Sequence, residues 1–154
     1  MDKKHFTATV YIVSDAKVLL LEHKKMASWL PPGGHVEENE LPSEAALREV
    51  MEETGLQVEL ITSKSFQEEK HYLEVNDPRT SLIPCPWRFL LEEISQNHYH
   101  IDFIYLAKII NNKIKNNEGH NLQWFSILDL EKNQNIFPNV KYYGIKAIQE
   151  FCSQ

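Results

Sequence analysis

Between Glu37 and Glu53 the chain places seven glutamates and a single basic residue, Arg48. Seven minus one gives six net negative charges, equal to the −6 excess of the whole 154-residue chain. Any fold must accommodate this segment. The pattern predicts a helix over about Leu41–Thr54, with Asn39 or Glu40 as cap, Pro42 in the first turn and Gly55 as the stop. At about 100° per residue, Glu49, Glu52 and Glu53 fall on one face. Ala46, Leu47, Val50, Met51 and Thr54 fall on roughly the opposite arc, which predicts packing on a sheet. Carboxylates spaced i, i+3 and i+4 repel, each pair costing roughly a few tenths of a kcal/mol. Glu52 and Glu53 also lie in the last turn, where the helix dipole disfavours anions. Helix stability alone would not select this arrangement. A divalent cation resolves both conflicts, and hard oxygen ligands suit Mg²⁺ or Mn²⁺. The plainer alternative is a solvated acidic helix.

The flanking segments read as sheet and turns. Phe6–Ser14 is rich in Thr, Val, Tyr and Ile; Asp15–Lys17 is a turn and Val18–Glu22 a returning strand, giving a hairpin. Trp29-Leu30 leads into the sharp loop Pro31-Pro32-Gly33-Gly34, whose glycines let backbone approach a ligand or metal. Leu56–Ile61 is a strand; residues 62–85 carry no clear pattern beyond a turn at Asn76-Asp77-Pro78. Trp87–Ile94 and Tyr99–Ile110 are strands joined near Ser95–Asn97, and Asn111–Gly119 is a polar loop. Leu122–Phe125 is a short strand, Ile127–Lys132 a short helix, and Pro138-Asn139 opens a final helix. Its inward stripe is Val140, Gly144, Ala147, Ile148 and Phe151. The expectation is one α+β domain over residues 1–154, with a mixed sheet and helices packed against it.

Composition bounds the partners. Hydrophobic residues are 42% and charged residues 25%, which excludes a disordered tail protein. No apolar run approaches the ~20 residues of a membrane helix, and the N-terminus lacks the features of a signal peptide. Cys85 and Cys152 cannot form a disulfide framework or a zinc site by themselves, so a reduced cytoplasmic protein is expected. The negative balance argues against an extended nucleic-acid surface.

The fixed points Gly34, Glu40, Arg48, Glu49, Glu52, Glu53 and Gly55, with Val50 and Leu56 at aliphatic positions, resemble the Nudix box, G-x5-E-x7-R-E-U-x-E-E-x-G-U. Every specified position matches. The resemblance implies a Nudix-type α/β/α sandwich with a catalytic loop–helix–loop. It also implies a hydrolase that cleaves a nucleoside diphosphate linked to another group, using Mg²⁺ or Mn²⁺. By position, Glu49, Glu52 and Glu53 would be metal ligands, with the carbonyl of Gly33 beside them. Glu49 is a candidate general base, although other members take the base from a later loop. Arg48 can pair with Glu44, or reach Glu49 or Glu40 and orient them; orientation is the preferred reading. Glu40 would serve the loop–helix junction.

The expected substrate is a small nucleotide: a nucleoside triphosphate, a nucleotide sugar or a dinucleoside polyphosphate. Trp87, Phe89, Tyr99 and Trp124 can each stack a base or belong to the core or rim. On a strand, His98, His100 and Asp102 share one face. They are expected to look into the glutamate cleft and contact metal or phosphate, against the alternative of an ordinary polar strand face. Glu118 and His120 are candidates for a loop over the site. A non-cleaving nucleotide sensor and an isoprenoid diphosphate isomerase are the competing functions; the complete box disfavours the first, and the lack of a motif around either cysteine the second. A homodimer stays open.

Overall fold

The first hairpin turns through Asp15 and Ala16, both with left-handed backbone (φ 48° and 57°), so that Val13 faces Val18 and Ser14 faces Lys17. This two-residue turn matches the twist of the flanking strands. It joins β1 (Lys3–Ser14) to β2 (Lys17–His23) in a computed structural model that describes residues 1–111 and 118–152. Most of the polar loop expected over Asn111–Gly119 lies outside the described residues.

Two three-residue strands follow, β3 (Ser28–Leu30) and β4 (Gly33–His35), and then α1 (Pro42–Thr54). The remaining elements are β5 (Gln57–Leu60), α2 (Lys64–Asn76), β6 (Arg88–Ser95), β7 (His98–Asn111), β8 (Leu122–Ser126), α3 (Ile127–Lys132) and α4 (Pro138–Cys152). The long strands β1 and β7 run parallel, from Lys3 opposite His98 to Ile12 opposite Ala107. Around this pair β4 adds to the middle of β1, at Thr7–Thr9, and β5 and β6 add to β7, all antiparallel. β2 pairs with β3 and β8. The sheet is therefore mixed, as expected.

Its two faces bury different helices. Ala8, Val10, Ile12, Tyr105 and Ala107 pack with Ala45, Ala46 and Val50 of α1. Tyr11, Val13, Ile104, Leu106 and Phe125 pack with Leu130 of α3 and with Val140, Ala147 and Ile148 of α4. The stripe read for α4 holds, and the layers are α/β/α.

Two readings need correction, and one segment without a pattern gains an element. Leu41, not Asn39 or Glu40, caps α1; leucine has no acceptor, and Glu44 instead reaches back to accept the Leu41 N–H at 2.9 Å. The contact stripe of α1 is rotated toward its glutamates. Glu53 is buried with Ala46 and Val50, whereas Leu47 and Met51 are exposed. The cause is β4, which covers the glutamate side of the helix. Finally, residues 64–76 form α2, which buries none of its side chains. Among the described residues, no helix is long and apolar enough to cross a membrane.

Candidate active site

The second half of α1 lies against β4. Gly33 donates its backbone N–H to Glu53 Oε1 at 2.8 Å. A Cβ on Gly34 would lie 2.3 Å from Glu49 Oε1, so glycine is what lets this carboxylate come so close. Arg48 organises the rest. Its Nε and Nη2 donate to the two oxygens of Glu40, Nη1 to Glu49 at 2.8 Å and Glu52 at 3.2 Å, and Nη2 also to the His35 carbonyl. The arginine is thus committed to carboxylates and backbone. Glu44 is not its partner. Glu40 also accepts the Glu37 N–H, bracing the loop before the helix.

Glu53 carries the sharpest electrostatic conflict. It is 7% exposed, and its backbone partner Gly33 cannot neutralise it. Burial first, then the charges of Glu49, Glu118 and Glu52, push its carboxyl up to about 8. Burial also raises Glu49, against the bonds from Arg48. Glu118 and His120 come in from the segment before β8; ligand atoms of Glu53, Glu118 and His120 all lie within 4.8 Å of one another. His120 and Glu118 are paired at 3.2 Å. This donor set is dominated by oxygen and carries more negative charge than Arg48 offsets, so it fits a hard divalent cation. Glu49, Glu52, Glu53 and Glu118, with Gly33 alongside, are the residues that would hold it.

His98, His100 and Asp102 lie elsewhere. The reason is parity. Asp102 stands two residues from Ile104, which packs beneath α4, while Tyr105 and Ala107 pack against α1. Alternation therefore turns His98, His100 and Asp102 to the α4 side of the sheet, opposite the face that carries the glutamate helix. The expectation that they look into the glutamate cleft is overturned.

On the α4 side is a cavity of about 260 Å³. Thr7, Thr9 and Tyr11 of β1, Glu92 of β6, His100 and Asp102 of β7, and Phe137, Asn139 and Val140 near the start of α4 line it. Gly33, Gly34 and His35 form its wall toward the glutamates. Asp102 is buried; Thr7 and Thr9 both donate their hydroxyls to its Oδ1, at 2.9 and 3.0 Å. Burial still raises its carboxyl above the ordinary range. Glu92 is raised too, by burial and then by Asp102, and accepts from Asn139 Nδ2 at 2.7 Å. Burial likewise raises the Tyr11 hydroxyl. A polar floor within apolar walls is what a small-molecule pocket requires.

The candidate stacking residues divide. Trp87 packs on the α4-side core and binds Glu150, Trp124 packs on the α1-side core, and Phe89 is exposed; none of these or Tyr99 lines the cavity. Thr7, Thr9, Tyr11, His35, Glu92 and Asn139 were not anticipated. One legible signal existed: His5, Thr7 and Thr9 alternate with Phe6, Ala8 and Val10, a polar stripe on a strand that is otherwise apolar.

A family model described as the NUDIX domain matches residues 3–143. A probable DHNTP pyrophosphohydrolase from Lactococcus lactis subsp. cremoris (strain MG1363) is 31% identical over 142 residues, covering 92% of this chain and 73% of that protein. The asymmetrical bis(5'-nucleosyl)-tetraphosphatase of Rattus norvegicus is 34% identical over 79 residues, 51% of this chain and 54% of its own length. Among solved structures, a NUDIX-family hydrolase from Clostridium perfringens superposes with a TM-score of 0.83 at 38% identity, covering 96% of this chain and 97% of its own.

Proposed function

The chain belongs to the Nudix family, whose members hydrolyse pyrophosphate bonds, and on that premise we propose a nucleotide-derived substrate split with the help of Mg²⁺ or Mn²⁺ at the glutamates of α1. One observation carries this reading. β4 is a partition one backbone thick, with Glu49 and Glu53 against one side and the cavity on the other. A molecule with its phosphates at the glutamates would place its remaining half in the cavity.

The bound cation would neutralise phosphate charge and polarise the bond under attack. The residues of the chain do the rest. Glu52 and Glu53 supply anionic ligands, and Arg48 fixes the carboxylates of Glu49 and Glu52. Glu49, with a raised pKa, is the candidate to accept the proton of the attacking water. Glu118 is a second candidate from a later segment, as a ligand or as that acceptor.

In the cavity, the carboxyls of Asp102 and Glu92 are acceptors, held by Thr7, Thr9 and Asn139 among largely apolar walls. They suit a heterocycle with adjacent N–H donors, such as the 2-aminopyrimidin-4-one ring shared by guanine and pterins. The DHNTP-related protein and a putative 8-oxo-dGTP diphosphatase among the relatives favour a triphosphate of that kind over a nucleotide sugar. Cys85 lines a separate hollow with Ile61, Thr62 and Tyr105, which withdraws support from a cysteine-dependent isomerase.

The test is product analysis over DHNTP, 8-oxo-dGTP, dGTP, ATP and a dinucleoside tetraphosphate, with Mg²⁺, Mn²⁺ or chelator. Turnover of at least one substrate, abolished by chelation and cut at least about 10²-fold in kcat by Glu52→Gln, is expected. Binding without turnover across the panel would favour the sensor.

A further inference from the structure

Near the starts of β1 and β7, four imidazoles gather on neighbouring strands. His5 comes from β1, His35 from β4, and His98 and His100 from β7. His5 stands opposite His100 in the parallel ladder, and His35 opposite Thr7. Ring centroids lie 4.9 Å apart for His5 and His98, 5.1 Å for His35 and His100, and 5.3 Å for His5 and His35.

We propose that His5, His35 and His100 form a second cation site, for a borderline divalent ion such as Zn²⁺, separate from the glutamate site. Three observations support it. One ring nitrogen of each residue lies within 4.8 Å of the other two. His5 Nδ1 and His35 Nε2 share a hydrogen bond at 3.3 Å, a separation that also matches the roughly 3.3–3.4 Å between ligands around a tetrahedral zinc with bonds of about 2.0–2.1 Å, so an ion can replace the shared proton without moving the rings apart. Nε2 of His98 and of His100 are both buried without a hydrogen-bond partner. A buried ring nitrogen without a partner is costly, and a metal satisfies it. No carboxylate belongs to this group, so it lacks the hard oxygens that Mg²⁺ prefers and offers the imidazoles that Zn²⁺ accepts. His98, beside His5 and His100, is placed to supply a fourth ligand after a rotation of its ring.

Such an ion would tie β4 to β1 and β7 next to Gly33 and Gly34. The proposal does not depend on the hydrolase reading, because it is tested by binding alone. The metal-free full chain is titrated with Zn²⁺ in excess Mg²⁺, using a competing chromophoric chelator. Co²⁺ then serves as a spectroscopic probe of tetrahedral nitrogen ligation. One Zn²⁺ per chain is expected, weakened at least about tenfold in His5→Ala and His100→Ala and retained in Glu52→Gln. His35 is exposed, so His35→Ala keeps the test informative if the other variants fold poorly. Equal zinc affinity in wild type and the three histidine variants would overturn the proposal. So would loss of zinc in Glu52→Gln alone, or histidine-dependent binding of inorganic phosphate without zinc, which would make the cluster an anion site.

Discussion

Gly33 N–H and Glu53 Oε1, 2.8 Å apart, join the partition strand to the helix that carries the acids. The bond holds a buried carboxylate whose pKa is pushed up to about 8. A raised carboxyl favours the folded state fully below its ordinary value near 4.5 and loses that advantage as pH rises through about 8. Without metal, stability should therefore fall between about pH 4.5 and 8. Glu53→Gln should flatten this slope and raise the metal-free Tm at pH 8.5 by at least about 3 °C, the shift of about 1 kcal/mol in a chain this long. Mg²⁺ should stabilise wild type more than the variant. Scanning calorimetry across pH, with and without Mg²⁺, measures both; parallel curves would refute the account.

Gly34→Ala tests the close approach of Glu49. The new methyl would meet the end of a flexible side chain, so the carboxylate should swing away while the fold survives. A Tm change within about 4 °C, roughly 1 kcal/mol, is expected together with a fall in kcat of about 10²-fold, the scale of a displaced reacting group. Normal turnover in a folded Gly34→Ala protein would remove Glu49 from the chemistry.

Arg48→Lys keeps the charge and removes the fork. One ammonium cannot serve Glu40, Glu49, Glu52 and the His35 carbonyl together. The expected loss is about 1–3 kcal/mol of stability, read by urea unfolding, with a fall in kcat that exceeds any rise in KM. A change in KM alone would mean that the arginine contacts substrate.

Asp102→Asn separates recognition from catalysis. An amide oxygen can still accept from Thr7 and Thr9, so the fold should persist. Because burial raises Asp102, the wild type loses stability as pH climbs from the ordinary carboxylate value through the raised one, and the variant should lose less. KM should rise about tenfold or more with kcat nearly unchanged, as expected for one exchanged hydrogen bond to a charged group. Steady-state kinetics on the best substrate decides it.

The sequence made some of this plain. β1, β2, β6, β7 and α4 announce themselves by β-branched runs, turn residues or a helical apolar stripe. The glutamates of α1 stand out because their spacing conflicts with ordinary helix stability. α2 was not legible, since a helix that buries no side chain has no apolar period to find. A helical wheel sets Glu53 opposite the apolar arc because it shows one packing partner, whereas α1 has two, the sheet and β4, and Glu53 is buried between them. The histidine group was hidden by distance along the chain. His5 and His100 are 95 positions apart, and only the parallel pairing of β1 with β7 brings them level. Alternation alone puts His98, His100 and Asp102 on one face, but which helix covers that face is set by the topology of the whole sheet.

The thinness of β4 has a consequence for how such a molecule can diversify. Glu49, Glu52 and Glu53 belong to one helix, whereas the residues around the cavity come mainly from β1, β6, β7 and the start of α4. Substitutions at Thr7, Glu92 or Asn139 can reshape what is recognised while Glu49, Glu52 and Glu53 keep their positions. The two glycines are the exception: each touches both compartments, so a change there alters recognition and reactivity together. Variation should therefore accumulate freely around the cavity and halt at Gly33 and Gly34.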